Sequence, residues 1–518
     1  MELIKRNIHM DRALKRAANR FTLEEDFNIP DVKADVAKLI YDKAEVKVEE
    51  VKLSGEYAVV RGSLQFSVLY QGDGDGGLSC LENKILFEEK IFGEQLEQAK
   101  ELNADWEIID FTVNIINSRK LNIQAIIKMD LMENDLYDEE VSRDIQKDIP
   151  VEYRKKKLEI AQVAVLKNDV FRFKEEIDVA QGAPNIYELL WRECNLLNVE
   201  FKCLENKISL QGEAALFCIY KNEDEEQSIQ MIDTVLPFSG VLDCHGCRED
   251  MISDIGCKLS HKSIEVREDL DGEDRIIGVE CSLDLQIKLY EEEMVEVLSD
   301  VYGVTKEVET VQRPTGFERL LMRGGGKLKY AEKVRIKNPD EGIGQIVHIS
   351  GNIQSDNIEM TGQGIHIRGT LNIKMLYRIM GVDNGYGCVR EMLPFEYTLE
   401  IPGLSEKDVY RMMPVIEQLG GVITGADEVE IKAMLYFKVI AFQKREEAII
   451  TDIVERELDK DKISELPGMA VYIVQEGDNL WNIGKRYYVP IARLKETNKL
   501  PSDEVKIGDK LLIVKGIS

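Results

Sequence analysis

Cys244-His245-Gly246-Cys247, followed by Cys257 and His261, is the stretch whose residue types and spacing could do chemistry. The order C-x2-C-x9-C-x3-H offers three thiols and an imidazole, the ligands that tetrahedral zinc takes in structural sites. The same residues also read as a redox pair or as ordinary core thiols. No other chemistry-bearing residues form a catalytic pattern. There are five histidines (His9, His245, His261, His348, His366), and the chain has no Gly-x-Ser-x-Gly turn, no His-Glu-x-x-His and no cysteine with spaced His and Asn partners. Acidic residues number 96, too many for a glycosidase pair to be singled out. No catalytic residue, resident metal or cofactor is assigned, and the chain is read as non-enzymatic.

Charge narrows the partners. A net charge of −29 over 518 residues repels nucleic acid and anionic membrane. The last fifty residues nevertheless carry eight Lys/Arg against six Asp/Glu, while the rest carries 59 against 90. Lys485, Arg486, Lys499 and Lys506 thus lie on a basic segment of an acidic chain, a placement that suits an acidic partner. The nine cysteines are odd in number and scattered, which fits reduced thiols in a cytosol. No apolar run approaches the roughly 18–20 residues that span a bilayer. The basic N-terminus lacks the apolar stretch of a signal peptide, so an uncleaved, intracellular chain is expected.

Three segments repeat: "GSLQFSVLY" (Gly62–Tyr70), "GEAALFCIY" (Gly212–Tyr220) and "GTLNIKMLY" (Gly369–Tyr377). Phe87, Phe238 and Phe395 follow those tyrosines by 17, 18 and 18 residues, and Ile40, Leu190 and Val347 precede each glycine by 22. Fixed gaps with drifting residues indicate three tandem copies of one fold. Alternate positions such as Leu64, Phe66, Val68 and Tyr70 stay apolar, the period of half-buried strands. The glycine is read as a turn or bulge, and a short helix or loop is allowed after each Phe. The zinc-like set lies in the second copy only, and Cys218 fills a core position held by Val68 and Met375 in the sister copies. Ordinary thiols are therefore favoured.

The expected organisation is mostly β, α+β overall: a basic segment 1–24, repeats at 25–145, 160–303 and 327–456, a linker at 304–326 containing Gly324–Gly326, a tether at 457–469 and a small βααβ module at 470–516. Leu3, Ile4, Met10, Leu14 and Ala18 have partly helical spacing and predict a helix packed on the first repeat, or lying on a membrane surface. In the last module "VYIV" reads as a strand, Gly477-Asp478-Asn479 as a turn with Asp478 or Asn479 as helix N-cap, and Leu480, Ile483 and Tyr487 as one helical face. Pro490 opens a second helix that ends at Asn498, and "DKLLIV" closes the sheet.

Three such repeats followed by this module resemble the SPOCS (spore coat structural) domain proteins of clostridia and their relatives, which end in a LysM domain. Tyr472, Val474, Gly477, Asp478, Leu480, Ile483, Leu494, Asn498, Gly508, Leu511 and Ile513 match the LysM pattern; Asn479 stands for its usual threonine, Gly484 for an alanine and Val514 for a proline. The resemblance implies a ligand groove between two loops, here Gly477, Asp478, Asn479, Leu480, Trp481, Lys499, Leu500, Lys506 and Ile507. It implies a structural adaptor of spore coat assembly in the mother cell, whose LysM domain binds the coat ATPase SpoIVA at the forespore surface. The alternative is binding of N-acetylglucosamine chains of peptidoglycan in wall or cortex. Trp481 is read either as a packing residue or as an aromatic anchor for a sugar or a protein.

Overall fold

A computed structural model describes residues 1–518 apart from 75–76, 94–95, 100–101, 147–148, 223–227, 337–341, 383, 459–467 and 515–518. Eighteen long strands fill the first 456 residues in three sets of six. The first set is β1 (Glu2–Asn28), β2 (Val36–Ser54), β3 (Tyr57–Gly72), β4 (Leu78–Phe92), β5 (Leu102–Asn117) and β6 (Lys120–Gln146). The second is β7 (Val151–Asp178), β8 (Ile186–Leu204), β9 (Lys207–Asn222), β10 (Ile229–Asp243), β11 (Ile252–Glu268) and β12 (Asp274–Gly303). The third is β13 (Glu307–Arg335), β14 (Ile343–Thr361), β15 (Gly364–Ile379), β16 (Tyr386–Glu400), β17 (Val409–Ile423) and β18 (Glu428–Arg456). Each set forms two antiparallel three-stranded sheets, β2-β3-β4 and β1-β6-β5 in the first, with the same order in the others. Their inner faces enclose one apolar core per repeat, a β-sandwich.

The repeating glycine and phenylalanine are cross-strand partners: Gly62 opposes Phe87, Gly212 opposes Phe238 and Gly369 opposes Phe395. A Cβ on these glycines would sit 2.7, 2.6 and 2.7 Å from the opposing ring. The glycine is not a turn: it lies in mid-strand opposite a β-bulge of the neighbouring strand, at Val48/Glu50, Leu197/Glu200 and Ser355/Asn357, and on its other side it makes room for an aromatic ring to lie across the strand, which fixes register.

The basic segment 1–24 is not a separate helix. It lies within β1, paired along its length with β6. A register shift between Lys15 and Ala17 explains the misleading spacing: Ile8 and Met10 are buried before it, and Ala17, Phe21 and Leu23 after it. Two runs of period two, out of phase across a bulge, mimic a helical stripe. The 304–326 linker is likewise strand, lying almost wholly in β13, where Gly324, Gly325 and Gly326 oppose Val439, Lys438 and Phe437. A Cβ at Gly325 would collide with the Phe437 carbonyl and one at Gly326 with the Tyr397 hydroxyl, so these glycines admit close neighbours and do not form a hinge. The segments after Phe87 and Phe395, allowed above as helix or loop, hold one 3-10 turn (Leu96–Gln98) and strands β5 and β17. The tether's residues 459–467 lie outside the described residues.

The long hairpin strands serve two cores. One part of β1/β6, β7/β12 and β13/β18 closes its own sandwich; the other meets the sister repeats, with Ile8, Met10, Val141, Leu158, Ile160, Val295, Val297, Phe317 and Ile449 in one cluster. The shorter sheets meet as well: Tyr41, Trp191 and Leu376, one from each repeat, share a cluster in which the Tyr41 and Trp191 rings lie edge to face at 5.2 Å. Charged contacts run head to tail around this junction. Arg192 of β8 pairs with Glu82 of β4, His348 of β14 faces Asp233 of β10 at 3.8 Å, and Arg390 of β16 pairs with Asp42 of β2. A head-to-tail contact repeated three times closes a ring.

Between these two junctions lies a cavity of about 3290 Å³ lined by all three repeats. On its wall a buried network joins them. Lys288 Nζ donates to Asp11 Oδ2 at 2.9 Å, Tyr290 OH to Asp11 Oδ1 at 2.9 Å and Arg411 Nη2 to Asp11 Oδ2 at 2.7 Å, while Arg411 also reaches Asp254. Burial alone would raise the Asp11 pKa; Arg411 and Lys288 reverse that and hold it below the ordinary carboxylate value.

Gly212→Ala forces the Phe238 ring off its partner and is expected to cost about 1–3 kcal/mol in denaturant unfolding. The G212A/F238A double variant is expected to lose less than the sum of the two single changes, since the ring that clashes is gone.

Candidate partner-binding site in the C-terminal module

The last module is β19 (Met469–Ile473), α1 (Leu480–Tyr487), α2 (Ile491–Asn498) and β20 (Lys510–Val514), with β19 and β20 antiparallel. Val474, Leu480, Ile483, Val489, Leu494, Leu511 and Ile513 form its own core. Asn479 is the N-cap of α1: its side-chain oxygen accepts the Asn482 N–H at 2.9 Å. Asp478 instead fastens the preceding turn, accepting from Tyr472 OH at 2.6 Å and Gln475 N–H at 2.9 Å, and the tyrosine's hydrogen bond lowers its pKa. Asn498 joins α2 to β20, donating to the Leu494 and Leu512 carbonyls and accepting the Leu512 N–H at 2.6 Å.

The expected groove residues separate into two groups. Leu480 belongs to the core, Leu500 packs against it, and Asp478 and Asn479 hold the turn and the helix start. Gly477, Lys499, Lys506 and Ile507 are exposed, Ile507 by 71%. Trp481 is only 3% exposed because it docks onto the second repeat. Its indole Nε1 donates to Asp300 Oδ2 at 2.8 Å, its ring meets Tyr302 edge to face at 4.9 Å, and the Arg154 guanidinium lies 4.8 Å from its centroid. Lys485 pairs with Asp300 at 2.6 Å, and Tyr302 OH donates to the Val489 carbonyl at 2.9 Å. Burial raises the Tyr302 pKa, which keeps that hydroxyl a donor.

Asp300, Tyr302 and Arg154 were missed by sequence reasoning, since nothing near them signals a dock. Gly484 was the available signal: a Cβ there would lie 2.6 Å from Tyr302 OH. The glycine that departs from the LysM pattern is what lets the second repeat approach the helix. The zinc-like set does not converge. Cys244 and Cys247 are buried in a turn, with the Cys247 N–H donating to the Cys244 carbonyl at 3.0 Å, whereas Cys257 and His261 lie on β11 and line the central cavity. Among the described residues no three His, Cys, Asp or Glu side chains form a group able to hold a metal.

Residues 35–116, 185–267 and 342–424 match the family described as SipL, SPOCS domain, and 472–514 match the LysM domain. The chain carries three SipL-type SPOCS domains and one LysM domain. Both are non-catalytic domain families, and the SipL relation places the protein in sporulation. The three SPOCS matches begin just before β2, β8 and β14 and end within or just after β5, β11 and β17. The long outer strands β1/β6, β7/β12 and β13/β18 thus lie largely outside them. The LysM region is also similar to the uncharacterized protein YkzQ of Bacillus subtilis (strain 168), 42% identical over 43 residues, which is 8% of this chain and 57% of that protein. The chain thus spans just over half the length of that curated relative. No solved structure matches the chain, and no described helix is long and apolar enough to cross a membrane.

Tyr302→Ala removes the edge contact and the hydroxyl that reaches Val489 but leaves the LysM core intact. It is expected to free the module while each part stays folded, seen as a larger maximum dimension in small-angle scattering and a Trp481 emission shifted to the red. Unchanged scattering with a blue Trp481 would show that the dock does not depend on this contact.

Proposed function

We propose that this protein is a non-enzymatic adaptor of spore coat assembly in the mother cell, its SPOCS domains forming a rigid body that presents the LysM domain to the coat ATPase SpoIVA at the forespore surface. The observation that carries this reading is the split of the LysM surface. The aromatic residue that could stack on a sugar is turned inward against Tyr302 and Arg154, while the outward face keeps apolar and cationic groups. Met469, Val471 and Ile473 of β19 are 63%, 66% and 55% exposed, and Ile507, Lys499 and Lys506 are exposed in the same module. Exposed apolar and cationic side chains on one small module fit a protein surface of complementary charge. A polymerised partner would also hold many copies of the adaptor at once, so modest single contacts add as avidity.

The peptidoglycan reading survives in the exposed loop residues Gly477 and Lys499, and co-sedimentation separates the two. Full-length protein is expected to sediment with polymerised SpoIVA and not with purified cell wall. The V471E/I507E variant is expected to lose about tenfold or more in that binding while keeping its melting temperature, the size of effect that truncating an interface anchor gives. Sedimentation with wall alone would favour the glycan reading.

A further inference from the structure

Seven of the nine cysteines fall in the second SPOCS repeat, and two of them face each other across its core. Cys194 Sγ of β8 lies 3.9 Å from Cys281 Sγ of β12, each thiol buried to within 2%. The two strands belong to opposite sheets of the sandwich. Cys194 also forms part of the central cavity wall, beside Glu193 and Lys262. We propose that Cys194 and Cys281 are a peroxide-responsive dithiol pair whose oxidation staples the two sheets of the second repeat together.

The order of attack follows from the surroundings. The two thiols share a hydrogen bond in which either sulfur can donate, and this contact, with the ammonium groups of Lys262 and Lys43, lowers the Cys194 pKa in spite of burial, while the same contact, with burial, raises that of Cys281. Cys194 lines the cavity by which a small oxidant would arrive and Cys281 does not, so Cys194 is assigned as the nucleophile. The Cys194 thiolate attacks one oxygen of hydrogen peroxide. The O–O bond breaks, hydroxide leaves and takes a proton to become water, and Cys194 is a sulfenic acid. The Cys281 sulfur then attacks the Cys194 sulfur, the S–O bond breaks, and the second water leaves with the Cys281 proton. Two electrons from the two sulfurs reduce one peroxide to two waters. Forming the bond closes the sulfurs from 3.9 Å to about 2 Å.

The bond would cross-link residues 87 positions apart in the sequence, so it constrains a large loop of the unfolded chain. It would also harden the repeat on which the LysM domain docks, because Cys281 shares β12 with Asp300 and Tyr302.

The test uses the full-length reduced protein, treated with hydrogen peroxide, then denatured and alkylated for peptide mapping. The expected result is a linked pair of peptides containing Cys194 and Cys281, loss of two free thiols per chain, and a melting temperature several degrees higher that dithiothreitol reverses. In Cys281→Ala, and in Cys281→Ser should the alanine variant fold poorly, Cys194 is expected to be trapped as a sulfenic acid by dimedone. A different first pair, such as Cys244 with Cys247, would overturn the proposal. So would an unmodified Cys194 in native protein that has consumed peroxide elsewhere.

Discussion

The carboxylate of Asp11 is the interaction on which the arrangement of repeats depends. It comes from the first strand of the chain, is buried, and meets Lys288 and Tyr290 of the second repeat and Arg411 of the third within 2.9 Å. Removing one member of such a group leaves the opposite charges without a partner in a place water reaches poorly, which costs far more than a surface ion pair. Lys288, with its pKa lowered by burial, shows how close the balance is. A buried charge of the first repeat that needs partners from the second and third can be satisfied in only one relative placement of the three, so specificity more than net stability is the role this network suits.

With that placement fixed, the three SPOCS domains act as one body and not as beads on a string. The head-to-tail pairs Arg192–Glu82 and Arg390–Asp42 make the same point at the other junction, where Lys374 also reaches Asp42 at 2.6 Å. The LysM domain is held against the far part of β12 by Asp300 and Tyr302. The body therefore sets which LysM face is offered outward, and the module's inward face, Trp481 included, is committed within the chain.

Much of the fold was legible because sandwich strands announce themselves by alternation, and the nearly equal gaps from Gly62, Gly212 and Gly369 to their phenylalanines recorded a cross-strand pair before its geometry was known. The long strands were harder to read. β1 changes its buried face across Lys15 and Ala17, because its two parts pack in different cores, and a single periodicity cannot describe both. The LysM core was clear, since short elements with one core keep their spacing. Its site was only half visible. Asn479 replaces a threonine by another capping residue and changes little, whereas Gly484, which looks conservative in sequence, is shaped by Tyr302 about 180 residues away. Contacts between distant repeats leave no local pattern, and Asp11 gives none at all.

The measurement that bears most directly on the closed body is hydrogen exchange on Asp11→Ala in the full-length chain. If the network joins the repeats, protection is expected to fall in β12 of the second repeat and β17 of the third as well as in β1, with the sandwich cores of all three unchanged. Loss of protection confined to β1 and its partner β6 would contradict it and return the repeats to independent domains.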